Sequence, residues 1–148
     1  MPEKILVVDD DLDTLRLVGL MLQHQGYKIN AANSGIQAIA MAQTDKPDLL
    51  LLDIMMPQMN GYQVLENLKA DEKLRYIPAI MISAVDDIDS IVRCIELGAE
   101  DYLSKPFNPV LLKARISACL EKKRLRDQEQ AYLRELAQEQ EKSERLLL

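Results

Sequence analysis

Residues 4–11 read KILVVDDD: an apolar run, Ile5 to Val8, leads straight into Asp9, Asp10 and Asp11. The run is too short for a helix and reads as a strand. Three carboxylates packed at its end repel one another, which costs free energy unless a cation or a shift in protonation offsets it. The stretch therefore predicts a strand whose carboxyl end points into a binding site.

Further runs of the same kind recur along the chain: YKINAA (27–32), LLLLD (49–53), AIMISA (79–84) and DYLS (101–104). Each is bounded by turn or cap residues. Helical patterns fill the gaps. LDTLRLVGLMLQHQG places Leu15, Val18 and Leu22 at helical spacing and stops at Gly26; Ser34 can cap GIQAIAMAQ; GYQVLENLKA follows, and DIDSIVRCIELG ends at Gly98. With PVLLKARISACL (109–120) as the last element of the body, five strands alternate with five helices. That order predicts an α/β domain, a doubly wound parallel sheet with helices on both faces. In such sheets ligands bind beyond the carboxyl ends of the strands, at the point where the strand order reverses.

Composition narrows the function classes. The chain has 148 residues and a net charge of −6, with its excess acid in residues 1–120; residues 121–148 balance. An acidic body without a basic stripe argues against direct binding of nucleic acid, where phosphate neutralisation supplies most of the affinity. No apolar run approaches the roughly 18–20 residues of a membrane span, and the N-terminus lacks the basic region and cleavage site of a signal peptide, so a cytoplasmic protein is expected without membrane insertion. Cys94 and Cys119 have no C-x-x-C spacing and sit in helical patterns, which predicts buried or idle thiols. His24 is the only histidine and lies in a polar helix end, QHQG, so a histidine-based catalytic centre is not expected.

On this frame the chemically distinctive residues converge. Asp9 and Asp10 follow the first strand, Asp53 ends the third, Ser83 lies near the end of the fourth and Lys105 follows the fifth. All fall on one edge of the sheet. Three carboxylates, a hydroxyl and an ammonium make a site for a hard divalent cation and a phosphoryl group; oxygen ligands that leave room for water suit Mg²⁺. With the acids neutralised, one carboxylate can act as a nucleophile toward phosphorus. Taken singly, each residue also fits a structural role: Asp9 or Asp10 as a helix cap, which Asp11 is better placed to be, Asp53 as a solvated strand end, Lys105 as a surface charge.

VDD (8–10), LLD (51–53), MMPQMNG (55–61), SA (83–84) and KPF (105–107), in this order, resemble the receiver domain of two-component response regulators over residues 4 to about 120. The resemblance implies the flavodoxin-like strand order 2-1-3-4-5 and a receiver domain over residues 1–121. It makes Asp53 the phosphoacceptor, with Asp10, Asp53 and the backbone carbonyl of Met55 ligating Mg²⁺ and Asp9 acting through water. Lys105 and Ser83 contact the phosphoryl oxygens. Tyr102 turns inward when that serine bond forms, and Lys105–Pro106 is a cis bond that aims the ammonium. Gly61 and Pro57 shape the loop after Asp53, Gly61 by its backbone freedom. The implied partner is a histidine kinase or phosphotransfer protein. The only enzymatic chemistry expected of this chain is its own phosphorylation and dephosphorylation.

Residues 122–148 contain no Gly or Pro and abundant helix formers, so they continue the last helix as a linker. Leu125, Tyr132, Leu136 and Leu146 fit a heptad seam, with Glu129, Glu139 and Ser143 at its other positions. Two readings stand side by side: a weak coiled coil that makes a homodimer, and a single solvated helix laced with pairs such as Arg134 to Gln138 and Glu141 to Arg145. EKSERLLL at the end resembles the stretch before class III nucleotide (adenylate or guanylate) cyclase domains, so the sequence predicts a piece of a longer protein cut before its effector domain. The alternative function is a stand-alone phosphorelay or protein-docking receiver whose helix only dimerises.

Overall fold

The structure is a computed structural model that describes residues 2–85, 87–106 and 108–147. Five strands, β1 (Lys4–Val8), β2 (Lys28–Ala32), β3 (Leu49–Asp53), β4 (Ala79–Ser83) and β5 (Asp101–Ser104), form one parallel sheet in the order β2-β1-β3-β4-β5. The helices are α1 (Leu12–His24), α2 (Gly35–Thr44), α3 (Gly61–Ala70), α4 (Ile88–Glu96) and α5 (Pro109–Leu147). The expected fold class and strand order are observed, and element ends differ from the sequence reading by one or two residues.

Apolar strands bury both faces of the sheet, as parallel sheets require. Leu6, Val8, Leu50, Leu52 and Met81 pack with Ala38, Val64, Leu65 and Cys94 under α2, α3 and α4. The alternate residues Ile5, Val7, Leu49, Leu51, Ile80 and Ile82 pack with Val18, Leu22, Leu112 and Ile116 under α1 and α5. Local caps set the helix ends. Asp11 caps α1 by accepting from the Asp13 amide, Ser34 caps α2, and Asn60 and Gln63 form a capping box on α3. Gly26 and Gly98 take φ of 93° and 95° just beyond α1 and α4, the left-handed geometry that ends a helix. Both cysteines are buried and free, and burial pushes the Cys119 thiol up to about 11, so neither resembles a reactive thiolate. His24 is exposed at the end of α1.

Helix α5 has 39 residues, roughly 58 Å at 1.5 Å per residue. Leu112, Ile116, Cys119 and Leu120 bury its first half against the sheet, whereas residues 127–147 are exposed throughout. Leu125, Tyr132 and Leu136 lie on the side of the helix roughly opposite the face that meets the body, given about 3.6 residues per turn. Of the two expected charge pairs, Glu141–Arg145 is present at 3.5 Å, while the Arg134 side chain turns back to the Gln130 carbonyl. Among the described residues, no helix is long and apolar enough to cross a membrane.

Candidate functional site

The strand order reverses between β1 and β3, since the chain runs from β1 out to β2 and returns to the other side of β1. Asp9 immediately follows β1 and Asp53 ends β3, so the crevice at the switch point is acidic. Carboxylate oxygens of Asp9, Asp10 and Asp53 lie within 4.8 Å of one another. Asp9 and Asp53 are buried, 3 % and 4 % exposed, and Asp10 faces solvent. The Asp9 carboxylate accepts from the Asp11 amide at 3.0 Å and from the Lys105 ammonium at 2.7 Å. Lys105 is 3.6 Å from Asp53. The ammonium thus leans toward Asp9 while staying in reach of both acids.

Burial, then the neighbouring Asp9 carboxylate, pushes the Asp53 carboxyl up to about 7, against the opposing pull of Lys105. Burial alone would lower Lys105, but the hydrogen bond to Asp9 and the charges of both acids outweigh it and leave the ammonium raised. The site therefore stores unbalanced negative charge. Its donor set is oxygen only, compact, and open on the Asp10 side. That fits a hard divalent cation, which neutralises the repulsion and leaves room for water.

Ser83 is fully buried at the end of β4, and its hydroxyl accepts from the Val85 amide at 3.1 Å. Tyr102 on β5 packs partly buried against the α2–α4 side of the core, and its hydroxyl donates to the Val85 carbonyl. The β4–α4 segment is thus held by Ser83 and Tyr102 together. Lys105–Pro106 is cis, as expected. Of the KPF motif, Phe107 lies outside the described residues. Met55 is exposed two residues after Asp53.

Gly61 is required for a reason other than the expected one. Its backbone is not in the left-handed region; a Cβ there would sit 2.5 Å from the Asp53 carbonyl oxygen and 2.7 Å from the Ile54 Cα. The N-terminus of α3 packs too closely on the phosphoacceptor-candidate strand for any side chain, and the Gly61 amide donates to the Ile54 carbonyl at 2.8 Å. The unusual dihedral of this loop belongs to Gln58, with φ of 68° beside a Met59 amide to Pro57 carbonyl bond of 2.7 Å, a γ-turn. No sequence motif marks two further contacts: the Arg93 guanidinium lies over the Tyr62 ring, 4.1 Å from its centroid, and Glu100 pairs with Lys122 and Arg126 of α5 at 3.2 and 3.1 Å. Both join residues far apart in sequence, and each residue alone reads as ordinary surface.

A flavodoxin-like sheet that gathers three carboxylates, a buried hydroxyl and an ammonium at its carboxyl edge belongs to the class of small regulatory α/β domains. The family model described as response regulator receiver domain matches residues 5–117, and the chain belongs to that family; it is a receiver domain of a two-component response regulator. It is 41 % identical over 120 residues to the alkaline phosphatase synthesis transcriptional regulatory protein PhoP of Bacillus subtilis, covering 81 % of this chain and 49 % of that protein. It is 42 % identical over 116 residues to the response regulator PleD of Caulobacter vibrioides, covering 78 % and 26 %. The chain therefore spans between about a quarter and half the length of these relatives, and relatives of the same kind include the DNA-binding response regulator MtrA of Mycolicibacterium paratuberculosis. Among solved structures it is similar to a CheY-like receiver domain protein of Methanospirillum hungatei, with a TM-score of 0.80 at 27 % identity, covering 85 % of this chain and 99 % of that one. It is also similar to the chemotaxis protein CheY4 of Vibrio cholerae, with a TM-score of 0.77 at 28 % identity, covering 80 % and 99 %.

Proposed function

We propose that residues 1–121 form a phosphoaccepting switch and that residues 122–148 are the helical linker through which it controls an output. The observation that carries this reading is the buried Asp53 carboxylate at the switch point, flanked by Lys105 and by the Asp9 and Asp10 acids. An Asp53 oxygen attacks the phosphorus of a phosphohistidine on a histidine kinase or phosphotransfer protein. The new P–O bond forms as the P–N bond breaks, and the imidazole leaves with the bonding pair, giving an acyl phosphate at Asp53. Bound Mg²⁺ would supply charge neutralisation for the entering phosphoryl group, held by Asp10, Asp53 and the Met55 carbonyl, with Asp9 acting through water. That division is supported by Asp9, whose two oxygens already accept from Asp11 and Lys105.

Lys105 meets one phosphoryl oxygen as a point charge, and Ser83 donates its hydroxyl to another. Ser83 now accepts from the Val85 amide, which leaves its proton free to donate, and as the hydroxyl turns to the phosphoryl oxygen it draws the Val85 segment with it. Tyr102, bonded to Val85, registers the shift, and Pro106 belongs to the same switch region. Phosphorylation thereby biases two arrangements of the β4–α4 segment. The output side rests on the exposed Leu125, Tyr132 and Leu136 stripe, read as the seam of a parallel homodimer. An effector beyond the helix is part of the reading, and the EKSERLLL resemblance favours a nucleotide cyclase for it.

The test uses radiolabelled acetyl phosphate, in which acetate replaces imidazole as leaving group. Wild-type chain should incorporate label only with Mg²⁺ present, and Asp53→Asn should abolish it. Label retained in Asp53→Asn would overturn the assignment of the nucleophile, and an unchanged Mg²⁺ titration in Asp10→Ala would remove Asp10 from the ligand set.

A further inference from the structure

We propose that Arg93 is a positioning residue that pins α4 to α3 through the Tyr62 ring, giving the site at Asp53 a second mechanical line to α4 that bypasses Ser83 and Tyr102. The proposal rests on the reading of Asp53 as phosphoacceptor.

Three observations carry it. The first turn of α3 is fixed to the site strand: Gly61 has no room for a Cβ against the Asp53 carbonyl, its amide is bonded to Ile54, and the capping box of Asn60 and Gln63 closes the turn. Tyr62 follows at once and is buried, the next residue after the glycine packed on the Asp53 backbone. Helix α4, by contrast, is thinly held. Cys94 is its one buried residue, while Ile88, Val92 and Ile95 stand exposed. The guanidinium of Arg93, next to Cys94, lies 4.1 Å over the Tyr62 ring. A cation in that position is attracted to the ring face, so the stack adds an anchor beside buried Cys94 and partly buried Leu97.

The consequence follows from where the stack sits. The stack stabilises the arrangement of α4 described here, and on this proposal the phosphorylated arrangement breaks it. Phosphorylation must overcome it, and removing it should move the population toward the reactive arrangement. A cation–π contact at an exposed site corresponds to a shift of roughly 2- to 5-fold in such an equilibrium.

The experiment compares wild type with Tyr62→Phe, Tyr62→Leu, Arg93→Met and the Tyr62→Leu/Arg93→Met double variant in the full chain. Two quantities are read: hydrogen exchange of the α4 amides without Mg²⁺, and the rate of label uptake from acetyl phosphate at fixed Mg²⁺. Arg93→Met and Tyr62→Leu should each speed both by about 2- to 5-fold. Tyr62→Phe keeps the ring face and should match wild type. The double variant should equal either single one, because both remove the same contact. Arg93→Met changes a surface side chain and keeps the test valid if Tyr62→Leu fails to fold. Faster α4 exchange with unchanged label uptake would make the stack a local brace and overturn the proposal, as would additive effects in the double variant or wild-type behaviour in Arg93→Met. Wild-type chain that takes no label would instead sink the phosphoacceptor reading, and the exchange measurement would still judge the stack.

Discussion

The acid pocket and the outer half of α5 are built on opposite terms. The pocket buries charge that the fold leaves unbalanced, with Asp53 raised to about 7 by burial and by Asp9. The outer helix does the reverse and leaves Leu125, Tyr132, Leu133 and Leu136 in water. Each region is incomplete in its own chemistry: the pocket sets one ammonium, Lys105, against three carboxyls, and the helix lacks an apolar surface to cover its stripe. A small cation can complete the first within one molecule. The second needs a cover from outside residues 1–147, since the stripe faces away from the body.

The largest effect expected from this contrast is on assembly. Removing residues 123–148 takes away the stripe but leaves the buried residues Leu112, Ile116, Cys119 and Leu120 in place. Light scattering should report a dimer for the full chain and a monomer for residues 1–122. Equal particle masses per chain would break the comparison, making the outer helix a solvated spacer held by pairs such as Lys123–Asp127.

The next effect concerns how rigidly the pocket is built. Gly61→Ala places a methyl group 2.5 Å from a backbone oxygen that cannot swing aside, and should destabilise the fold by about 1–3 kcal/mol or more in urea unfolding. Gly19→Ala in α1 is the control. Its Cβ would meet nothing nearer than Ile29 at 3.8 Å, and the gain in helix propensity, about 1 kcal/mol, should stabilise the chain. Equal effects at the two glycines would mean that the α3 N-terminus can back away from Asp53.

A smaller effect tests the stored charge. With a folded pKa of about 7, well above the ordinary 3.8 of an aspartate, the folded chain keeps a proton on Asp53 between roughly pH 4 and 7 that the unfolded chain has released. Stability without Mg²⁺ should therefore fall as pH rises through that window and level off above it. Asp53→Asn lacks this slope. Its melting temperature should match wild type near pH 4 and exceed it above pH 7, with Mg²⁺ raising wild type more than the variant. A constant difference across the range would show that the Asp53 carboxyl is not what carries the strain of the pocket.

How much of this was readable beforehand follows from how each feature is encoded. The strands come from short apolar runs and their order from the resemblance to receiver domains, and Asp9, Asp10, Asp53, Ser83 and Lys105 sit at strand ends, where a doubly wound sheet brings them to one edge. Gly61 was picked out correctly and explained wrongly, because a single sequence cannot distinguish a glycine that needs an unusual φ from one crowded by a neighbouring backbone. That the Lys105 ammonium leans toward Asp9 depends on side-chain geometry at the sub-ångström level. Arg93 over Tyr62 and Glu100 with α5 escaped altogether, since contacts between residues far apart in sequence leave no local pattern.

The smallest expected effect lies where the two regions meet. Glu100, just before β5, holds Lys122 and Arg126 at the root of the outer helix. Burial lowers the Lys69 ammonium, which Glu100 opposes and Arg126 reinforces. One carboxylate thus separates three cations from α3 and α5. Glu100→Gln would leave them facing one another without it. Lys122 is exposed and Arg126 half-buried at the surface, so each pair contributes only about 0.2–1 kcal/mol, and global stability should fall by no more than their sum. The more sensitive measurement is the spread of distances between spin labels at Glu72 on the body and Gln130 on the helix. Glu100→Gln should broaden that distribution at low salt, and about 1 M salt should broaden wild type to match, because such pairs are screened beyond roughly 3 Å there. A distribution unchanged by either would mean that the buried half of α5, by its packing alone, sets the direction in which the outer helix leaves the body.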